Sequence, residues 1–200
     1  MISSRPVRAP RVVVPIVAFG VAIGGASCAV AGSTVSGAIS PGHATAITPS
    51  ATPSTYHTYR DAERGYTIAY PLDWIVSDDQ HQGEVVFTSA DSDAAFDLGV
   101  VDAAPSQTLD TFATNTLTGL GDRIPNFQLL SSDVLVVSGH AARRLQYVGE
   151  HEGVQVEWLQ ALLLANGRAY ILTFATKADR FERWHPLAEW MLESLRIEES

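Results

Sequence analysis

Asn166-Gly167 sits between two long strand-like runs, Val154 to Leu164 and Arg168 to Thr176, and this arrangement narrows the possible folds more than any other feature. Both turn residues tolerate positive φ, the conformation a two-residue hairpin requires, so the flanking runs fold back as antiparallel neighbours. In the first run Val156, Trp158, Gln160 and Leu162 alternate with Gln155, Glu157, Leu159 and Ala161, the two-residue period of a strand. An antiparallel sheet is the framework to which everything else attaches.

More strands precede it. Tyr66, Ile68 and Tyr70 alternate with Thr67 and Ala69, and Pro71 stops that strand, because proline cannot donate to a ladder. Trp74-Ile75-Val76 opens another apolar run. Glu84 to Thr88 and Phe96 to Val101 read as strands joined by the polar loop Ser89 to Ala95. Phe127 to Leu130, Val134 to Ser138 and Ala141 to Gly149 follow, the last pair turning at Gly139-His140. Two segments switch to helical spacing. From Thr108 to Gly121, Leu109, Phe112, Ala113, Thr116 and Leu120 share a face, with Thr108 as N-cap and Gly119, Gly121 and Pro125 closing the helix. From Ala178 to Leu195, Phe181, Trp184, Ala188, Met191 and Leu195 form one stripe, and Pro186 predicts a kink or a fresh first turn. The pattern predicts an α+β fold: a large antiparallel sheet with two main helices packed on it.

The first third of the chain is of another kind. Arg5, Arg8 and Arg11 precede a stretch from Val12 to Ala31 with no charged residue, the layout of an export signal. Pro15, Gly20, Gly24 and Gly25 make it a poor permanent span, although about 20 apolar residues are long enough to cross a bilayer. Gly25-Ala26-Ser27-Cys28 resembles a lipobox, in which the cysteine becomes lipidated and cleavage precedes Cys28. Ala29-Val30-Ala31 is a competing site with cleavage before Gly32, and both readings stay open. Cys28 is the sole cysteine, so no internal disulfide is available and the domain relies on its core. Residues 32–58 are dominated by Gly, Ser, Thr, Ala and Pro and read as a disordered tether with an end-to-end distance of roughly 30 Å. The predicted organisation is a signal over 1–31, a tether over 32–58 and a folded domain over 59–200.

Charge excludes one class of partner. The whole chain carries −9; removing residues 1–28 leaves 10 basic against 22 acidic residues, or −12. With one lysine (Lys177) and one adjacent basic pair (Arg143-Arg144), the chain has no cluster to neutralise phosphates, so no nucleic acid is expected.

Candidate chemistry is thin. Asp78, Asp79 and His81, with Glu84, stand close enough in a loop to hold a divalent ion, though without the spacing of a known metal motif. Glu150-His151-Glu152 lies on an extended segment whose side chains alternate, so a solvated hairpin turn is the better reading. Asp91 and Asp93 mark a turn, and Gly119-Leu120-Gly121 ends a helix rather than cradling phosphate. There is no Gly-x-Ser-x-Gly elbow and no Walker loop. A hydrolase working through Asp79 and His81 would need both within hydrogen-bond reach in a cleft. No catalytic residue, cofactor or resident metal is assigned. Trp158, Trp184 and Trp190 read as core, with room for one of them to line an apolar groove, and His185 reads as a helix-surface residue.

The sequence resembles the PsbP/Mog1 family. The landmarks are Gly65-Tyr66-Thr67-Ile68-Ala69-Tyr70-Pro71-Leu72-Asp73-Trp74, then Thr108-Leu109-Asp110-Thr111-Phe112, then Gly167 to Ala175, and finally Ser194-Leu195 after the last helix. The family's late strand reads Gly-x-x-Tyr-x-Leu-Thr-x-x-Ala, which Gly167, Tyr170, Leu172, Thr173 and Ala175 match at one-residue tolerance. The resemblance covers about residues 59–198. It implies a non-enzymatic module, close to the exported bacterial lipoproteins of the family. It disfavours a photosystem subunit, whose docking end is basic where this domain is acidic. Together the signal, tether and resemblance predict an extracytoplasmic binding or assembly module of the cell envelope. It would be tethered by a lipid on Cys28 or by an uncleaved signal, or else be secreted. Its expected occupant is an envelope protein partner or, alternatively, an apolar ligand or lipid.

Overall fold

The computed structural model describes residues 55–79 and 83–198. The signal, Cys28, the tether up to residue 54 and His81 lie outside the described residues. In chain order the elements are β1 (Tyr56–Asp61), β2 (Tyr66–Pro71), β3 (Ile75–Asp79), β4 (Glu84–Thr88), β5 (Ala94–Asp102) and α1 (Leu109–Arg123). There follow β6 (Gln128–Val137), β7 (His140–His151), β8 (Val154–Ala165), β9 (Arg168–Lys177), a 3-10 turn (Ala178–Arg180), α2 (Phe181–Glu193) and β10 (Arg196–Ile197).

Seven strands form one antiparallel sheet in the order β3-β4-β5-β9-β8-β7-β6. The predicted large sheet and two helices are therefore present. A second, three-stranded sheet, β1-β2-β10, joins the two ends of the domain. Strand β1 starts at Tyr56, three residues inside the expected tether, because Tyr56 to Thr58 pair with Ala69 to Pro71. Strand β10 is held by two register pairs to β2 and falls within the residues expected to follow the last helix.

Strand alternation sorts the large sheet into two cores. Tyr170, Leu172 and Phe174 of β9, with Leu159, Ala161 and Leu163 of β8, face α2 and the small sheet, where Tyr66, Ile68, Trp74, Phe181, Met191 and Leu195 are buried. Val156, Trp158 and Leu162 of β8 and Leu145 and Tyr147 of β7 face the other way, under Phe112, Ala113, Leu120 and Ile124 of α1 and its C-terminus. The central strands β8 and β9 are apolar on both faces, as strands covered on both sides must be. Among the described residues both cores draw only on Tyr59 and later positions.

Three hairpins share one turn chemistry. Ser138-Gly139, Glu152-Gly153 and Asn166-Gly167 each have positive φ at both positions (51° and 80°, 51° and 76°, 52° and 73°), matching the right-handed twist of the strands they join. The first turn lies one residue ahead of the expected Gly139-His140. In place of two strands within residues 127–138 there is the single β6, whose register shifts between Leu129 and Ser131.

Helix α1 is capped by Thr108, whose hydroxyl accepts the Thr111 N–H at 3.2 Å, while Thr111 Oγ1 accepts the Thr108 N–H at 3.1 Å. It does not stop at Gly119 or Gly121. Burial of Leu120 and Ile124 carries it on to Arg123, whose Nε donates to the Gly119 carbonyl at 2.8 Å. Ile124, forced extended by Pro125, ends it. Pro186 lies in the second turn of α2, where it cannot donate to the carbonyl of Glu182; the helix runs through it.

Candidate functional site

A cleft of about 470 Å³ opens on the outer face of the small sheet. Tyr56 and Thr58 of β1 and Thr67 and Ala69 of β2 form its floor, Trp190, Glu193 and Ser194 at the end of α2 form one wall, and Arg196 of β10 closes it. The Tyr56 ring meets the Trp190 ring edge-on at 5.7 Å, with Tyr56 half exposed and Trp190 buried. Arg196 donates to the carbonyls of Glu193 (2.6 Å) and Leu195 (2.8 Å), which fixes a guanidinium beside the aromatic pair. The cleft is open to solvent and mixes polar and apolar lining, unlike an enclosed lipid cavity.

The walls are held firmly. Ser194 Oγ accepts the Ala69 N–H at 2.9 Å and donates to the Met191 carbonyl at 2.6 Å, stapling the end of α2 to β2. A smaller cavity of about 310 Å³ lies where Ala62 to Gly65 meets Asn166, Arg168, Tyr170 and Glu198. There Arg64 bridges Asp61 at 3.0 Å, and the Tyr170 hydroxyl donates to the Arg64 carbonyl at 3.3 Å. Its charges are balanced.

Among the described side chains the sequence candidates do not converge, and His81 lies outside them. Asp78 accepts the Tyr59 hydroxyl at 2.6 Å; burial and that bond push the phenol pKa up, so it stays protonated. Asp79 is the next residue along β3, its backbone paired in register with Glu84. Glu150, His151 and Glu152 do not converge: Glu150 accepts from Asn126 Nδ2 at 3.0 Å, His151 ends β7, and Glu152 forms the turn. Asp91 accepts the Ser89 hydroxyl at 2.8 Å within a turn, and Asp93 pairs with Arg180. Among the described residues no three His, Cys, Asp or Glu side chains are placed to hold a metal. Trp158 stacks on Tyr147 (5.4 Å, 17°) in the α1 core, Trp184 packs edge-on against Trp74, and Trp190 is the one that lines the cleft.

Two charged sites were not legible beforehand. Arg144 of β7 bridges Glu189 of α2 at 2.7 Å and Asp133 of β6 at 3.3 Å, and His185 Nε2 lies 3.1 Å from the same Glu189 oxygen. Burial works to raise the Glu189 carboxyl, but the His185 hydrogen bond and Arg144 more than reverse it and hold the pKa below the usual range. His185 also stacks on Phe181, so it is a structural partner rather than a free surface residue. The other is Asp97 on β5, fully within the sheet. Burial pushes its carboxyl well above the ordinary range, against hydrogen bonding by Thr173.

One family model, that of PsbP, matches residues 54–197. The chain belongs to the PsbP family. Solved structures share the fold. Cyanobacterial PsbP (CyanoP) from Synechocystis sp. PCC 6803 superposes with a TM-score of 0.58 at 18% identity, over 73% of this chain and 94% of that one. PA94 from Pseudomonas aeruginosa, a protein of unknown function described as a putative regulator, gives 0.55 at 18%, over 72% and 99%. The Saccharomyces cerevisiae Ran-binding protein Mog1p gives 0.53 at 11%, over 72% and 95%. A search of curated proteins finds no significant match. The PsbP landmarks are scaffold here: Tyr66, Ile68 and Trp74 fill the core, Pro71 ends β2, and Ser194-Leu195 staples and plugs the end of α2.

Proposed function

We infer that this PsbP-family protein is an exported, membrane-tethered, non-enzymatic module that docks an envelope protein through the Tyr56/Trp190 cleft. The observation that carries the reading is the cleft itself: an aromatic pair beside a fixed guanidinium, open to solvent and built on two rigid elements. Aromatic and arginine side chains of this kind dominate protein-protein binding energy. The cleft also borders β1, the first described strand. The open, partly polar lining favours a protein partner over a carried lipid.

Among the described residues no helix is long and apolar enough to cross a membrane, so attachment in this reading rests on Cys28 or on the signal itself. Fatty-acid labelling of wild type and Cys28→Ala tests the anchor; equal label in both sinks it. Docking is tested by affinity capture from solubilised envelope with wild type and with Tyr56→Ala/Arg196→Ala. Partners retained equally by the two proteins would remove the cleft from the function. Lipid extracted stoichiometrically from the purified domain would favour the carrier instead.

A further inference from the structure

The two edges of the large sheet are unlike. Strand β3 is five residues long and ends in Ser77-Asp78-Asp79, the short, charged form that resists pairing. Strand β6 is ten residues long and among the described residues pairs only with β7, so no described strand lies along its other side. It contains no Lys, Arg or Pro. Leu129, Leu130, Val134 and Val136 are exposed along it, Val134 at 58% and Val136 at 67%. An edge this long and apolar is a pairing template unless something covers it.

Charge narrows what can cover it. Beside β6, Arg143 pairs with Asp110 and Arg144 with Asp133 and Glu189, so charge near this edge is close to balanced, while the folded part as a whole is strongly acidic. Two copies of this chain therefore repel each other least when they approach along β6. At the edge itself Asp133 is the sole charge, and Arg144 already pairs with it.

Pattern fixes the register. In an antiparallel pair about a two-fold axis, opposite residues share a face, so the axis must pass through a residue. With the axis at Asp133, two carboxylates oppose each other, which is destabilising. With the axis at Val134, Asp133 faces Leu135 and Val136 faces Ser132. With the axis at Leu135, Val134 meets Val136 of the other copy twice on the α1 side, and Leu135 meets its own copy on the other side. Asp133 then lies opposite Val137, away from its own image. The face assignments follow from the pairing of Val134 with Arg143 and of Leu135 with Ala142. We propose that β6 is a homodimerisation edge, in which two copies of this chain pair antiparallel about Leu135 into one continuous sheet.

The contact is small, five residues from each copy, below the size of a permanent interface, so association is weak in solution. A dissociation constant of about 10 µM to 1 mM is expected, and anchoring both copies to one membrane raises their effective concentration.

Sedimentation equilibrium of residues 54–200 over that range tests the idea, and these residues contain no cysteine to interfere. Wild type should dimerise with concentration. Val134→Lys/Val136→Lys sets like charges opposite each other and should raise the dissociation constant at least tenfold with an unchanged far-UV circular dichroism spectrum. Leu135→Cys should form an intermolecular disulfide much faster than Ile75→Cys on the β3 edge. A monomer across the whole range, dimerisation that survives the double lysine variant, or equal cross-linking at both edges would each overturn the proposal.

Discussion

Ser194 Oγ accepts the backbone N–H of Ala69 at 2.9 Å across 125 residues of sequence, joining the last turn of α2 to the middle of β2. The bond explains why a serine followed by an apolar residue closes the final helix. The hydroxyl satisfies an N–H that would otherwise be buried without a partner, and Leu195, fully buried, plugs the space behind it. It also sets the position of Trp190, one turn earlier, against Tyr56.

Ser194→Ala should therefore destabilise the domain by about 1–3 kcal/mol, the usual penalty for an orphaned buried donor. Urea unfolding monitored by tryptophan fluorescence measures it. A loss under about 0.5 kcal/mol would show that the staple carries no energy.

The Arg144–Glu189 pair predicts an asymmetry. Glu189 is more deeply buried than Arg144, and Arg144 keeps Asp133 as a second partner. Arg144→Met, which leaves the buried Glu189 carboxylate with His185 alone, should cost about 2–4 kcal/mol at pH 7; Glu189→Gln should cost about 1–2. Because the folded pKa of Glu189 is depressed, its contribution is present above the ordinary carboxylate range and is lost as pH falls through the lower folded value. The stability gap between wild type and Glu189→Gln should therefore narrow in acid. A gap of the same size at pH 7 and pH 3 contradicts the assignment.

Asp97 predicts the opposite slope. Its folded pKa is raised, so its protonated form stabilises the domain at low pH, and that stability is lost as pH rises through the folded value. Asp97→Asn keeps a neutral side chain able to hydrogen-bond Thr173. It should leave stability near pH 4 almost unchanged and raise it at alkaline pH. Thermal melts across pH read this directly, and parallel curves for the two proteins would refute it.

Two glycines separate backbone strain from crowding. At Gly167, with φ +73°, an added Cβ meets nothing within 4 Å, so Gly167→Ala should cost about 1–2 kcal/mol from conformation alone. At Gly149 the backbone is ordinary strand, but a Cβ would collide with Ile124 Cγ2 and lie 3.1 Å from the Pro125 carbonyl. Gly149→Ala should cost about 1–3 kcal/mol by forcing α1 off β7. Addition of Ile124→Ala should relieve part of the Gly149 penalty and none of the Gly167 penalty, a comparison that equilibrium unfolding of the double variants makes.

The strands β2, β4, β8 and β9 and the faces of both helices were legible because their signals are local: period-two alternation, Asn-Gly, a threonine cap, a helical stripe. The other two hairpins were half legible. Gly139, Gly153 and Gly167 recur every 14 residues, a spacing that marks all three turns at once. The run of α1 past Gly121 was hidden, because burial of Leu120 and Ile124 outweighs glycine's weak helix propensity. The cleft had one visible hint, the surplus of tryptophans, with no sign of which one would line it.

The sequence by itself determined the antiparallel framework, the two amphipathic helices, the acidic character and the PsbP landmarks, since each depends on residues a few positions apart. Only the tertiary structure decided that β1 and β10 close a second sheet, that Glu189 meets Arg144 and that Asp97 is sealed in. It likewise decided that Trp190 faces Tyr56 and that β6 stands at an edge. These features join residues separated by 45 to more than 130 positions or depend on which strand lies outermost. Strand order is set by how both faces of the sheet are covered, and no local pattern encodes it.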